Sequence, residues 1–295
     1  MMNENKLKKM LHATQTPSLA RDAFKRFLRN RAAVLGAVIL TVVLFMILFA
    51  DLIVPAEMVT AYDSMARLSP PTAGHIFGTD NLGRDVFARI LHGARITVGI
   101  GVGATLAALA LGAAIASICA LLPKVDMVVM RFMDIWSCIP SLLLALVFLA
   151  VMGGSVANMM FTLTVVSIPS FTLHTRSVLL SVSEQDYVKA ARLSGTKNVK
   201  LVLRHILPNA VDTIIVDATM TVSSMMLSAA GLSAIGMGVA PPSPEWGAML
   251  NYGTGYYKNA PHLIVFPAIA IILTALAINL VGDGLRDALD PKSMK

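Results

Sequence analysis

Long apolar runs alternate with short polar ones along this chain, and six of the runs approach or exceed the ~20 residues a helix needs to cross a bilayer. They cover residues 34–54, 97–122, 127–152, 156–176, 212–238 and 263–282. The polar segments between them are residues 1–33, 55–96, 123–126, 153–155, 177–211, 239–262 and 283–295. Pro140 and Pro169 fall inside the third and fourth runs, where a missing N–H predicts a kink. In the second run Gly99 and Gly103 stand four apart, and in the fifth Ala230, Ala234 and Gly238 repeat the same step. Small residues at that spacing predict faces where another helix backbone comes close.

One polar island, residues 184–209, breaks the apolar pattern in the second half of the chain. Its first part, Glu184 to Ser194, has acids at the start and Lys189 and Arg192 later, which suits a helix dipole. Val188, Ala191 and Leu193 supply its apolar side. Gly195 stands where a helix stops in a left-handed residue. Thr196 is positioned to cap a second helix running through His205, with Val199, Val202, Leu203 and Ile206 at helical spacing and Pro208 as its breaker. Periodicity therefore predicts a helix–turn–helix knob, with a solvated connecting loop as the alternative.

The N-terminal 33 residues are basic: eight Lys or Arg face only Glu4 and Asp22. Ser18 can cap a helix over residues 19–31 with Leu19, Ala23, Phe27 and Leu28 on one side, fit to lie on an anionic leaflet. A plain basic anchor reads equally well. The region is too long for a signal peptide and no small-residue cleavage site follows, so the first span reads as a retained anchor.

Composition agrees with the pattern. Of 295 residues 56% are apolar and 14% charged, and mean hydropathy is +0.72. Soluble domains carry about 25% charged residues, so this chain cannot cover a water-facing surface of ordinary polarity. The net charge of +7 raises nucleic acid as a partner, but its distribution points to lipid instead. With the N-terminus inside, the inner segments hold 19 of the 24 Lys and Arg and the outer ones 5. That bias predicts cytoplasmic termini and a cytoplasmic island. Arg67, Arg84, Arg89 and Arg95 run against it on the outer side.

Candidate chemistry is sparse. Asp51, Arg131, Asp134, His174 and Asp217 lie near span ends, and the span middles carry no ionisable group for a proton relay. His12, His75, His92, His174, His205 and His262 form no ligand spacing, and no Ser sits in G-x-S-x-G. His174 reads as a packing residue. Cys119 and Cys138 lie in apolar stretches as small core filler, and Asp283, Asp287 and Asp290 read as capping or packing groups around Arg286. No metal site and no cofactor are expected in this chain. Ser194-Gly195-Thr196-Lys197 lacks the order of a phosphate-cradling loop; if transport here is driven by ATP, the ATPase with its ATP and Mg²⁺ is another polypeptide, which must then grip this chain on its cytoplasmic surface. Trp246, Tyr252, Tyr256 and Tyr257 form either an interfacial aromatic belt or a docking surface.

Lys189-Ala190-Ala191, three residues, Gly195, nine residues and His205-Ile206-Leu207-Pro208 resembles the cytoplasmic loop of permease subunits of binding-protein-dependent ABC importers. Lys189 stands where that family has Glu, and His205 where it has Ile. Two more stretches resemble the peptide/nickel branch. One is Phe77-Gly78-Thr79-Asp80-Asn81-Leu82-Gly83-Arg84-Asp85-Val86-Phe87 with Gly93-Ala94-Arg95; the other is Pro241-Pro242-Ser243-Pro244-Glu245-Trp246-Gly247-Ala248-Met249-Leu250, with the tail from Asn279 to Pro291. The resemblance is to a C-type permease and covers nearly the whole chain after residue 20. It implies an all-α membrane protein with six transmembrane helices of the ABC-importer (MetI-like) type. It also implies four kinds of partner: a paralogous permease, two ABC ATPases, an extracytoplasmic solute-binding protein and membrane lipid, with no nucleic acid. Tyr187, Lys189, Ala190, Ala191, Arg192, Gly195, Thr196, Leu207 and Pro208 would couple to the ATPases. Gly78, Thr79, Asp80, Gly83, Arg84, Asp85, Trp246 and Gly247 would form the extracytoplasmic family motif, of which Gly78, Asp80, Arg84 and Asp85 would brace the outer loop and touch the binding protein. The cargo would be a di- or oligopeptide, nickel, another metal chelate or a glutathione-like solute. An ion-coupled secondary carrier and a structural membrane scaffold are the competing classes.

Overall fold

The computed structural model describes residues 19–289, with side chains from residue 23 onward. Apart from one isolated bridge between Thr79 and Asp85, they build helices and loops. α1 (Leu19–Arg29) leads into α2 (Arg31–Ile53), and α3 (Glu57–Thr60) is a single turn. The central rods are α4 (Val86–Leu121), α7 (Val156–Ser183), α10 (Leu207–Ala234) and α12 (His262–Leu289). Between them lie α5 (Pro123–Ser137), α6 (Ser141–Met152), α8 (Asp186–Leu193), α9 (Asn198–Leu201) with a π turn over Val202–Ile206, and α11 (Trp246–Thr254). The Ser18 cap falls outside the described residues.

Among the described residues five helices are long and apolar enough to cross a membrane. The expected third span is the exception. It is two helices, α5 and α6, bent by 83° at the break. Pro140 is responsible. It cannot donate to a carbonyl one turn back, and it pushes Ile139 out of helical geometry. The chain closes α5 with a tight bond from Ile139 N–H to Trp136 O and restarts at Ser141, where Pro140 O accepts from Leu144 N–H. Pro169 by contrast stays inside α7. The second span starts earlier than expected, because Asp85 caps α4 through Ala88 N–H at 2.8 Å.

α4 and α7 pack along their length, α12 packs against α2 and α10, and α10 also crosses α4. Three apolar clusters stack along the bundle. The middle one joins Ile100, Ala104 and Ala108 to Met159, Leu163 and Leu232. The knob-end cluster gathers Ala116, Leu179, Val188, Leu201, Val202, Ile206 and Ile214. The far-end cluster gathers Val86, Ile90, Met226, Trp246, Met249 and Ile271.

The close helix approaches differ in part from those the spacing predicts: Ala230 does meet the backbone of Gly247 on α11, but the glycine pair of the second run does not carry its crossing. Gly99 is exposed with open space around it, and Gly103 meets only the tip of Met160. The tight crossings are at Gly101, Gly112 and Gly36, where a Cβ would reach Met226, Phe171 and the Ala277 carbonyl. The step Ala230, Ala234, Gly238 also ends early, since α10 stops at Ala234 and Gly238 sits in the following turn. A four-residue step fixes one stripe of a helix; only the packing decides which stripe meets a neighbour.

Cys119 is buried as expected, whereas Cys138 is exposed at the end of α5 and donates its S–H to Asp134 O.

Candidate functional site

The island folds as a knob of two helical pieces on the ends of α7 and α10. α7 runs on to Ser183, and α8 follows within three residues. At the end of α8 Gly195 has φ +83°, a left-handed conformation that L side chains adopt only at a cost. Gly195 N–H donates to Arg192 O at 3.1 Å and Thr196 N–H to Ala191 O at 3.2 Å, so two otherwise orphaned carbonyls are satisfied.

The second half departs from expectation in three ways. Thr196 caps nothing; Lys197 holds the cap position and makes no side-chain bond there. Pro208 does not end the helix. The π turn over Val202–Ile206 carries the chain into α10 without interruption, with Pro208 in its first turn. Widening the turn is one way a helix can accommodate the donor that proline lacks. That wider turn also rotates the apolar face, so Leu201, Val202 and Ile206 are buried while Val199 and Leu203 are each 56% exposed.

The knob therefore has a root and a tip. The root is Val188, fully buried, with Leu201, Val202 and Ile206 against Leu179 and Ile214. Ala191 and Leu207 pack at its margin. The tip exposes Tyr187, Ala190, Leu193, Val199 and Leu203, with Leu193 90% exposed. Lys189 points out and pairs locally with Glu184 at 3.4 Å, and Arg192 is exposed as well. Arg176 on α7 grips Asp126 on α5 with two bonds of 2.5 and 2.6 Å, which ties the knob end to the broken span.

At the far end two loops interlock. Asp80 accepts from Leu82 N–H at 2.8 Å, Arg84 N–H at 3.0 Å and Arg84 Nε at 2.6 Å, and both side chains are buried. Thr79 is fully buried; its hydroxyl donates to Ala66 O and accepts from Ser69 N–H. Gly83 has φ +79°, and a Cβ there would strike Asp63 O. Gly78 packs against His262, whose Nε2 lies 3.2 Å from Thr79 O. Asp85, besides capping α4, meets His75 at 2.8 Å.

The second loop is held by Glu245-Trp246-Gly247. Glu245 is fully buried and caps α11 by accepting from Gly247 N–H at 3.0 Å and Ala248 N–H at 2.7 Å. Burial pushes its carboxyl above the ordinary carboxylate range, against the opposing pull of those two N–H groups. Trp246 is 1% exposed, donates Nε1–H to Ile90 O at 2.9 Å and fits over Gly93. It is thus neither a membrane belt residue nor a docking residue. Tyr257 remains exposed, and Tyr256 packs on the far-end core. Gly247 lies against Ala230 of α10, where a Cβ would come 2.4 Å from the carbonyl.

Arg89 joins the two loops. The residue is 1% exposed, and its guanidinium faces Asp80 at 3.7 Å and donates to Val59 O, Pro242 O and Ser243 O. The four arginines that run against the charge bias are all engaged. Arg84 holds Asp80, Arg95 holds Asp51 at 2.6 Å, and Arg67 donates to Asn81 O at 2.8 Å. Arg89 and Glu245 were missed by motif reading. Glu is not among the usual N-cap residues, so the sequence carries no capping signal at Glu245.

Residues 108–295 match the family model described as "binding-protein-dependent transport system inner membrane component". The chain belongs to that family. Residues 18–71 match the N-terminal transmembrane domain of oligopeptide transport permease C, which makes this permease a C-type member of the peptide branch of ABC importers. It is 38% identical over 273 residues to a dipeptide transport system permease protein of Alkalihalophilus pseudofirmus, covering 92% of this chain and 90% of the relative. It is 40% identical over 276 residues to a glutathione transport system permease protein of Escherichia coli, with the same coverages, and equally so to that of Shigella sonnei. The permease is a multi-pass, all-helical membrane protein. Among the described residues no group of His, Cys, Asp and Glu is placed to hold a metal, and Asp287 instead accepts from Asn30 Nδ2 at 3.4 Å.

Proposed function

We propose that this permease forms, with a paralogous permease, the translocation pathway of an ATP-driven importer, and that its knob is the surface gripped by cytoplasmic ATPases. The termini and the knob then lie in the cytoplasm, as the 19-to-5 split of basic residues favours. An extracytoplasmic binding protein delivers the solute above the interlocked loops. ATP and Mg²⁺ stay on the ATPases, and this chain catalyses no reaction.

The observation that carries this reading is the division of the knob. A root buried in the bundle makes the knob rigid with α7 and α10. A tip with Leu193, Val199, Leu203 and Tyr187 in the open is costly in water and suited to a protein groove. A purely solvated loop would show neither. The cargo is a peptide or a related small solute. The names of the dipeptide and glutathione relatives support the peptide class, and a nickel or metal-chelate cargo has no support beyond the branch resemblance.

The test uses the complete complex in liposomes. Leu193→Asp at the tip should leave the permease in the membrane, weaken retention of the ATPases during purification, and cut ATP-driven uptake of a labelled dipeptide. Uptake and ATPase retention both at wild-type level would overturn the assignment.

A further inference from the structure

The exposed faces of the long helices are of two kinds. α12 shows Val265, Ile269, Ile272 and Leu276 along one side, all apolar, as lipid requires. α7 and α10 also expose apolar side chains, Phe161 and Leu180 on one and Ile215 and Leu227 on the other, but each carries a stripe of polar groups as well. On α7, Ser170 and His174 are exposed; on α10, Ser224 and Ser228 are exposed and Asp217 and Thr221 half-buried, at spacings that keep them on one face. His174 Nε2 meets the Asp217 carboxylate in a hydrogen bond across the two helices. An ionisable group facing hydrocarbon is costly, so this seam does not face lipid.

The seam is also hollow. A cleft of about 320 Å³ lies between Ser170 and His174 on one side and Asp217 and Thr221 on the other. It shares Ser167 and Met225 with a second cleft of about 340 Å³ toward the far end, bounded by Ser228 and Gly231. It shares His174 and Asp217 with a third of about 280 Å³ toward the knob, bounded by Asp212 and Arg286. Together they make one groove along α10, with the His174–Asp217 contact standing across it.

We propose that this groove is the permease's own wall of the solute route, and that Asp217, steadied by His174, receives the cationic amino group of a peptide-like solute passing along it. The proposal rests on the importer reading above. The lining chemistry selects that class. Thr221 and Ser228 donate their hydroxyl protons to helix carbonyls one turn back, at 2.8 Å each. Their oxygens are left as acceptors for amide N–H groups. Asp217 adds one carboxylate, and Met220, Met225 and Phe171 supply adaptable apolar wall. Acceptors, one anion and pliable thioethers suit N–H-rich solutes of varied side chain, held weakly enough to leave.

The experiment uses the complete complex in liposomes, with Cys119 and Cys138 replaced by Ala. Ser170→Cys and Ser228→Cys should react with a membrane-impermeant, negatively charged methanethiosulfonate far faster than Ile272→Cys on the apolar face of α12, and the reaction should block dipeptide uptake. Asp217→Asn should lower that uptake about tenfold or more, the worth of one charge-assisted hydrogen bond, while binding-protein-stimulated ATP hydrolysis persists. His174→Gln should lower it less. Thiols at 170 and 228 as inert as that at 272, or joined to the paralogous permease by a short bifunctional reagent, would make the groove a subunit seam and refute the proposal, as would wild-type uptake by Asp217→Asn. A wild-type complex that imports no peptide would sink the importer reading instead, because thiol reactivity is measured without solute.

Discussion

Gly195 offers a perturbation whose size follows from geometry alone. Its φ is +83°, and a Cβ built there meets no atom within 4 Å. Replacement by Ala therefore adds no clash and only the left-handed strain, about 1–2 kcal/mol. Lost freedom of the open chain returns roughly 0.4–1 kcal/mol, so the net cost centres on about 0.8 kcal/mol, or roughly fourfold in the local opening equilibrium. Gly195→Asn, which tolerates the left-handed region, should cost less than Ala. Gly195→Pro should be far worse, because its φ is fixed near −65° and it loses the bond to Arg192 O. Hydrogen exchange on the complete complex in lipid discs reads this at the amides of residues 195 and 196. The expected order of exchange rates is Gly, then Asn, then Ala, and uptake should follow the same order, with none for Pro. Ala exchanging as slowly as Gly, or Asn faster than Ala, would refute the account of the turn.

Two further predictions concern the far end. Gly247→Val drives a side chain onto the Ala230 carbonyl and should lower the melting temperature of the detergent-solubilised permease, by the ~1–3 kcal/mol typical of overpacking; an unchanged melt would mean α11 is not seated on α10 there. Glu245 binds its proton more tightly folded than unfolded, so its share of stability is greatest at acid pH and is lost as pH rises from the ordinary carboxylate range through its raised folded value. Measured against Glu245→Gln at each pH, the wild type should lose ground as pH rises through that window, and a difference that is flat or grows would contradict the burial argument.

The sequence displayed the long helices because lipid demands continuous apolar runs, and five of the six runs fall on helices long and apolar enough to cross a membrane. It displayed the left-handed stop at Gly195 because only one residue type fits it well. What it hid depends on three-dimensional neighbours. Pro140 and Pro169 look alike in the sequence, yet one breaks its helix and the other does not. Gly99 looks like a packing residue and faces open space, while Gly101 next to it carries the crossing. His174 reads as a lone packing residue until Asp217, 43 positions away, is brought against it. The apolar face of the second knob helix was misplaced because a single π turn shifts the register of everything before it.

That π turn has a mechanical consequence. By keeping the chain helical past Pro208, it makes Asn198 to Ala234 one 37-residue rod, about 55 Å long if straight. One end is the knob; the other rests its Ala230 backbone on Gly247. Such a rod works as a lever: a tilt of about 5° at the knob displaces the opposite end by roughly 5 Å over that length. Had Pro208 ended the helix, the hinge would have absorbed the tilt. A displacement of that size at Ala230 would press directly on the seat of α11, so the two loops clasped by Arg89 would register a push delivered on the opposite side of the membrane.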